Sequence, residues 1–307
     1  MTRRPPICTD VTAECPISYT ILGYRPNLFA NGFFAVFFVI CFGAQIWLGI
    51  RFRTKGYAIA LTLGCVALTL GYLARLYLHF QPFNSVPFQA QICCLIIAPA
   101  FNSAAIYLML RHIVKLFGAE WSVLKPEQYT KGFIAADVVS LALQATGGGL
   151  AVMAGDDKDR LDLGNNVMMA GIAFQVVTLS IFSILTVLFL VRRVRARTSD
   201  PLSGTALETW HSTKFRWFLS GLVTAFTSIF IRCVYRIAEM RGGWGNSLMR
   251  DQITFIILEG CMMLIATSAQ TILHPGHFFP TMGDSHMKTD DSPGSWTDIT
   301  ELPILSK

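Results

Sequence analysis

Arg232, Arg236 and Glu239 stand at i, i+4 and i+7, so on a helix all three share one face. Arg75, Asp137 and Glu259 lie in three other stretches that are otherwise apolar. Apart from Glu239, which falls just past the end of its run, these charges sit where a membrane-crossing helix is surrounded by hydrocarbon. A charge at mid-depth costs roughly 2.5–3.5 kcal/mol on insertion scales, so each needs a partner or a use. Three arginines against three acids favour pairing inside the protein. The chemistry is then either a salt-bridge clasp between helices or a site for a charged lipid headgroup, and the spacing admits both. Asn31, near the start of the first apolar run, belongs at the same depth.

Asp137, Ser140 and Gln144 form a second stripe at i, i+3 and i+7, followed by Gly147, Gly148 and Gly149. Such a line cannot comfortably face lipid. It is expected to turn inward, with the glycines permitting close helix approach or a locally opened backbone. Gln175, Asn102, Ser103 and Tyr107 are its candidate partners from neighbouring runs. Pro99 should bend the run that carries the last three. Interhelical hydrogen bonding explains each residue singly; together they also describe a path for a polar headgroup.

The elements that must position these groups are seven apolar runs, roughly 28–50, 57–79, 89–110, 132–154, 166–191, 217–237 and 252–273. A run of about 20 residues crosses a ~30 Å hydrocarbon core at ~1.5 Å rise per residue. The fold class is therefore all-α, a polytopic membrane protein of seven transmembrane helices. Only 14% of residues are charged and 53% are hydrophobic, whereas soluble domains carry about 25% charge. Within the net charge of +6, Lys and Arg crowd alternate spacers: Arg51, Arg53 and Lys55; then Arg111, Lys115, Lys125 and Lys131; then Arg192, Arg193, Arg195, Arg197, Lys214 and Arg216. By the positive-inside rule those spacers are cytoplasmic, which sets the N-terminus outside and the C-terminus inside, against the vote of Arg3, Arg4 and Arg25. The chain divides into an extracellular segment 1–27, a membrane domain 28–273 and a cytoplasmic tail 274–307, expected to be disordered beyond about residue 280. Residues 1–26 lack the apolar core of a signal peptide. Cys8 and Cys15 share that segment on the oxidising side and are a candidate disulfide.

Several function classes are disfavoured. The short spacers leave no room for a soluble catalytic domain, and no phosphate-binding G-x-x-x-x-G-K-[ST] loop occurs. No run contains the lysine that a retinal protein needs. No acidic residue immediately precedes Arg111 at the end of the third run, and the last run lacks N-P-x-x-Y, so the marks of a G-protein-coupled receptor are missing. His79, His112, His211, His274, His277 and His286 fall at run ends or in loops, away from any intramembrane zinc site. The basic loops read as topology signals and lipid contacts, so nucleic acid is not an expected partner, and neither a cofactor nor a metal is called for.

Short motifs follow one another along the chain: Tyr24-x-Pro26 with Asn31 and Phe34; Gly71-Tyr72-x-x-Arg75; Ala98-Pro99-Ala100-Phe101 with Ala105-Ile106-Tyr107; and Phe133 with Asp137-Val138-Val139-Ser140, Gln144 and Gly147-Gly148. Gly171 with Gln175-Val176-Val177, then Arg232-x(3)-Arg236-x-x-Glu239 with Gly242, and His274-Pro275-Gly276 continue the series, which covers about residues 24–277. In this order they resemble the motifs of the fungal RTA-like family of lipid-translocating exporters, first linked to aminocholesterol resistance. Departures stand at Asn27, Gln45, Leu68 and Ile256, where the family commonly has Ser, His, an acid and Tyr. The resemblance implies a non-enzymatic protein of the fungal plasma membrane that moves, exports or protects against amphipathic lipids, notably sphingoid long-chain bases. Its implied partners are membrane lipids and amphipathic small molecules. Glu239 or Glu259 would meet an amine, and Arg75, Arg232 and Arg236 a phosphate or sulfonate. Asp137 and Gln144 would serve deeper in the path. The alternative is a seven-helix sensor of lipid stress that docks a cytoplasmic partner on the basic loop 192–216.

Overall fold

The computed structural model describes residues 11–13, 15–154, 157–196, 204–242 and 245–278. Cys8, Arg197 and the tail beyond residue 278 lie outside the described residues; Cys15 is disulfide-bonded. The helices are α1 (Leu28–Phe52), α2 (Lys55–Phe80), α3 (Ser85–Phe117), α4 (Pro126–Met153), α5 (Lys158–Ala196), the short α6 (Gly204–His211) and α7 (Thr213–Arg241). The last span is broken into α8 (Gln252–Phe255), a π-helical turn (Ile256–Cys261) and α9 (Met262–Ile272), with a final α10 (Pro275–Phe278). Among the described residues, seven helices are long and apolar enough to cross a membrane. Several outrun their apolar runs, most of all α3 and α5, because the flanking Lys, Arg, Gln and Glu are good helix formers.

Local chemistry starts the helices at defined points. Asn27 caps α1 by accepting from the Ala30 N–H at 3.0 Å, and Asn84 caps α3 through the Val86 N–H at 3.0 Å. Pro126 opens α4, where its missing N–H costs nothing. Asp251 caps α8 through the Ile253 N–H at 3.0 Å.

The molecule is inverted relative to a soluble protein. Large apolar side chains such as Phe29, Trp47, Ile50, Met153 and Ile272 are exposed around the perimeter, while Arg75, Asp137, Arg232, Arg236, Glu239 and Glu259 are buried. Helix α3 is the hub, touching α2, α4, α5, α7 and α9. Its most apolar window is 67% buried, against 28% for α4 and for α5. Helices α4 and α5 pack backbone to backbone: a Cβ on Gly147 would stand 2.4 Å from the Met168 amide nitrogen. The opposite end from Arg75 is locked by His274, which accepts from the Gly276 N–H at 3.1 Å and meets the Thr54 hydroxyl at 3.3 Å.

Candidate functional site

Pro99 lacks the N–H that would close the helical bond to the Leu95 carbonyl. That freed acceptor takes a hydrogen bond from Arg232 Nη2 instead. The same guanidinium holds Glu259 Oε1, at 3.0 Å from Nε and 2.6 Å from Nη2. Glu259 rides on the π-helical turn, whose extra residue per turn shifts the register of the last span. Its second oxygen lies 3.7 Å from Arg236 Nε, and Arg236 in turn pairs with Glu239. Arg232, Arg236, Glu239 and Glu259 therefore form one chain of ion pairs between α7 and the last span, anchored on α3.

Arg75 stands apart from that chain. No carboxylate among the described residues pairs with it; it donates to the Tyr24 hydroxyl and to Gln91 Oε1 at 3.3 Å. Its guanidinium lies 3.7 Å above the Phe255 ring centroid, a cation–π contact. Burial raises the Tyr24 hydroxyl above the ordinary tyrosine range against the opposing pull of Arg75, so Tyr24 brings no negative charge. Three arginines against two glutamates leave the cluster one positive charge, and Arg75 is the guanidinium that carries it. Gly71 makes this possible, because a Cβ there would stand 2.8 Å from the Leu95 side chain and push α2 off α3.

Arg75, Gln91, Arg236 and Glu239 line a small cavity of about 10 Å³, with Ile92 and Leu95 in its wall. That is room for about one water. On the other side of Ile92 runs a much larger apolar cleft of about 550 Å³ between α3 and α4, with Met168 of α5. Gln89, Cys93, Ala145, Gly148 and Gly149 line it, and Val138 and Met153 in its walls are exposed at the bundle surface. Ile92 belongs to both spaces.

The remaining polar residues separate into other roles. Ser140 donates to the Gly171 carbonyl at 2.9 Å, and Gln144 Nε2 donates to Ser140 Oγ at 2.7 Å and to Gln175 Oε1 at 3.3 Å. These three residues clasp α4 to α5. Asn31 donates back to the Asn27 carbonyl at 2.6 Å, inside its own helix. Asn102 bonds the Ala98 carbonyl and faces Gly64 of α2 rather than α4. Asp137 faces the Tyr107 hydroxyl. Tyr24, Gln91 and Phe255 around Arg75 leave no mark in the charge spacing, since all three come from segments with no charge pattern of their own. Pro99 was the visible signal for the Leu95 carbonyl.

This is a polytopic membrane protein with an ionic site sealed among its helices and a lipid-facing cleft beside it. Residues 61–282 match the family described as RTA1 like protein, and the chain belongs to that family. It is similar to the sphingoid long-chain base transporter RSB1 of Saccharomyces cerevisiae, 34% identical over 260 residues, covering 76% of this chain and 66% of the relative. It is also similar to Protein RTM1 of Saccharomyces cerevisiae (27% over 210 residues; 68% of this chain, 64% of the relative). Protoporphyrin uptake protein 1 of the same organism is 26% identical over 223 residues, covering 72% of this chain and 68% of the relative. The chain thus spans slightly under two thirds of the length of RSB1 and RTM1. No solved structure matches it.

Proposed function

We propose that this protein is a non-enzymatic lipid transporter that moves single-chain amphiphiles of the sphingoid-base kind across a membrane, the fungal plasma membrane by family likeness. The observation that carries the reading is Ile92, which separates a charged cavity from an apolar cleft and so gives the site the shape of an amphiphile. The hydrocarbon chain lies in the α3/α4 cleft. The headgroup displaces the Ile92 side chain and enters the cavity, its hydroxyl or phosphate oxygens toward Arg75 and its amine toward Glu239. Glu259, fully buried between Arg232 and Arg236, holds those arginines in place rather than meeting the lipid. Similarity to a sphingoid long-chain base transporter and to a protoporphyrin uptake protein supports a cargo that is amphipathic. The charge pattern of the loops supports an outward-facing cavity end.

Reconstitution into liposomes with a fluorescent sphingoid base tests the reading, because a transporter works there without partners and a stress sensor does not. Movement between leaflets is expected with the wild-type protein. Arg75→Met should slow it by about 10–100-fold, the loss of one charge-assisted hydrogen bond worth ~1.5–3 kcal/mol. Movement no faster than in protein-free liposomes would overturn the reading.

A further inference from the structure

Asp137 is 3% exposed, and neither of its carboxyl oxygens has a hydrogen-bond partner or an ion pair among the described residues. It is the exception among the buried acids, since Glu239 and Glu259 are both held by arginines. The groups around it are weak or neutral. From α3 the Tyr107 hydroxyl faces it, with Ser103 beyond; from α7 the Cys233 thiol is within electrostatic reach. Cys233, next to Arg232 on α7, is within electrostatic reach of both Asp137 and Glu259. Three rings meet beside it: Tyr107 lies 5.5 Å from Phe133 and 4.6 Å from Phe182, and Phe133 shares the Asp137 face of α4 one turn earlier.

A buried carboxylate with no cation beside it, faced only by the Tyr107 hydroxyl, is strongly disfavoured in such surroundings; the neutral acid is not. A transient ammonium, by contrast, would find a counter-charge and aromatic faces together. We propose that Asp137 is the proton-exchange residue of this protein, protonated in the conformation described and ionised only while a headgroup ammonium is close to it. The O–H bond of the acid breaks, the proton leaves to water on one side, and the ammonium neutralises the carboxylate. When the amine departs, a proton from water on the other side restores the acid. One cationic lipid thus moves one way for each proton moving the other. This coupling rests on the lipid-transport reading, whereas the resting protonation does not.

Infrared difference spectra of the reconstituted protein decide the first part. A protonated-carboxyl band is expected at neutral pH in the wild type and absent in Asp137→Asn, and the addition of a sphingoid base should diminish it. Asp137→Asn, a neutral isostere of the acid, should melt no lower than the wild type. A marked loss of melting temperature, or the lack of any band, would show an ionised, paired Asp137 and overturn the proposal. An imposed pH gradient decides the coupling: it should change the rate of base movement severalfold in the wild type and have no effect in Asp137→Asn. Movement indifferent to the gradient sinks the coupling alone, and no movement at all sinks the transport reading as well. Should Asp137→Asn fail to fold, titration of the wild-type band and the Tyr107→Phe protein supply the same test.

Discussion

Arg232 donates to the backbone carbonyl of Leu95, the acceptor that Pro99 leaves without its helical donor. A single imino acid on the central helix thus reaches across to α7 and holds the arginine that in turn holds Glu259. The ion-pair chain is a consequence of broken backbone regularity in two places, at Pro99 and at the π-helical turn Ile256–Cys261.

Pro99→Ala restores an N–H four residues after Leu95 and sets it in competition with Arg232. Stability should change by only about 1 kcal/mol, the net worth of one hydrogen bond, while lipid movement falls severalfold. Thermal unfolding and the leaflet assay together check this; unchanged transport would remove the carbonyl from the site.

Breaking one half of the Arg232–Glu259 pair leaves a buried charge without its main partner. Arg232→Met and Glu259→Met should each cost about 3–5 kcal/mol in unfolding experiments, whereas the double variant should cost far less than the two singles combined. Additive losses would show that the residues do not act as a pair.

Neighbouring glycines on α4 should behave oppositely. At Gly147 an added Cβ meets the backbone of α5 at 2.4 Å, so Gly147→Ala is expected to lower the melting temperature, an overpacking cost of about 1–3 kcal/mol. At Gly149 a Cβ meets nothing within 4 Å, and the residue lines the cleft. Gly149→Leu should therefore fold as well as the wild type and still lose transport, because its side chain fills the space assigned to the hydrocarbon chain.

Tyr24 supplies a pH dependence whose sign follows from its burial. Its hydroxyl is raised above the ordinary value of 10.0, so the folded state retains that proton more tightly than the unfolded chain. The contribution is fully present below pH of about 10 and declines as pH climbs beyond it. A steeper alkaline loss of stability in the wild type than in Tyr24→Phe, followed by thermal unfolding, is the expected result.

Much of this was legible from residue types. The seven spans follow from apolar run length, and the Arg232, Arg236 and Glu239 face follows from helical period. A charge count favours pairing inside the protein; the structure pairs Arg232 and Arg236 with Glu239 and Glu259, while Arg75 and Asp137 have no ion pair among the described residues. The Ser140–Gln144–Gln175 clasp followed from the stripe; its hydrogen bonds and the close packing at Gly147 and Gly171 join α4 to α5, and Gln144 also lines the cleft. The surroundings of Arg75 were not legible: with Leu68 where an acid is common, only three-dimensional proximity brings Tyr24, Gln91 and Phe255 to it. The cleft was equally hidden, since an apolar residue reads the same whether it faces a groove, a neighbour or lipid.

Cys93 offers the most direct test of an amphiphile lying across Ile92. Its thiol lines the cleft and is exposed, so a lipid-soluble maleimide should reach it in the reconstituted protein, with the labelled peptide read by mass spectrometry. Saturating sphingoid base is predicted to slow labelling at Cys93 severalfold while leaving Cys261 unaffected. An unchanged Cys93 rate in folded protein, with the base present throughout, would contradict the placement of the chain in this cleft.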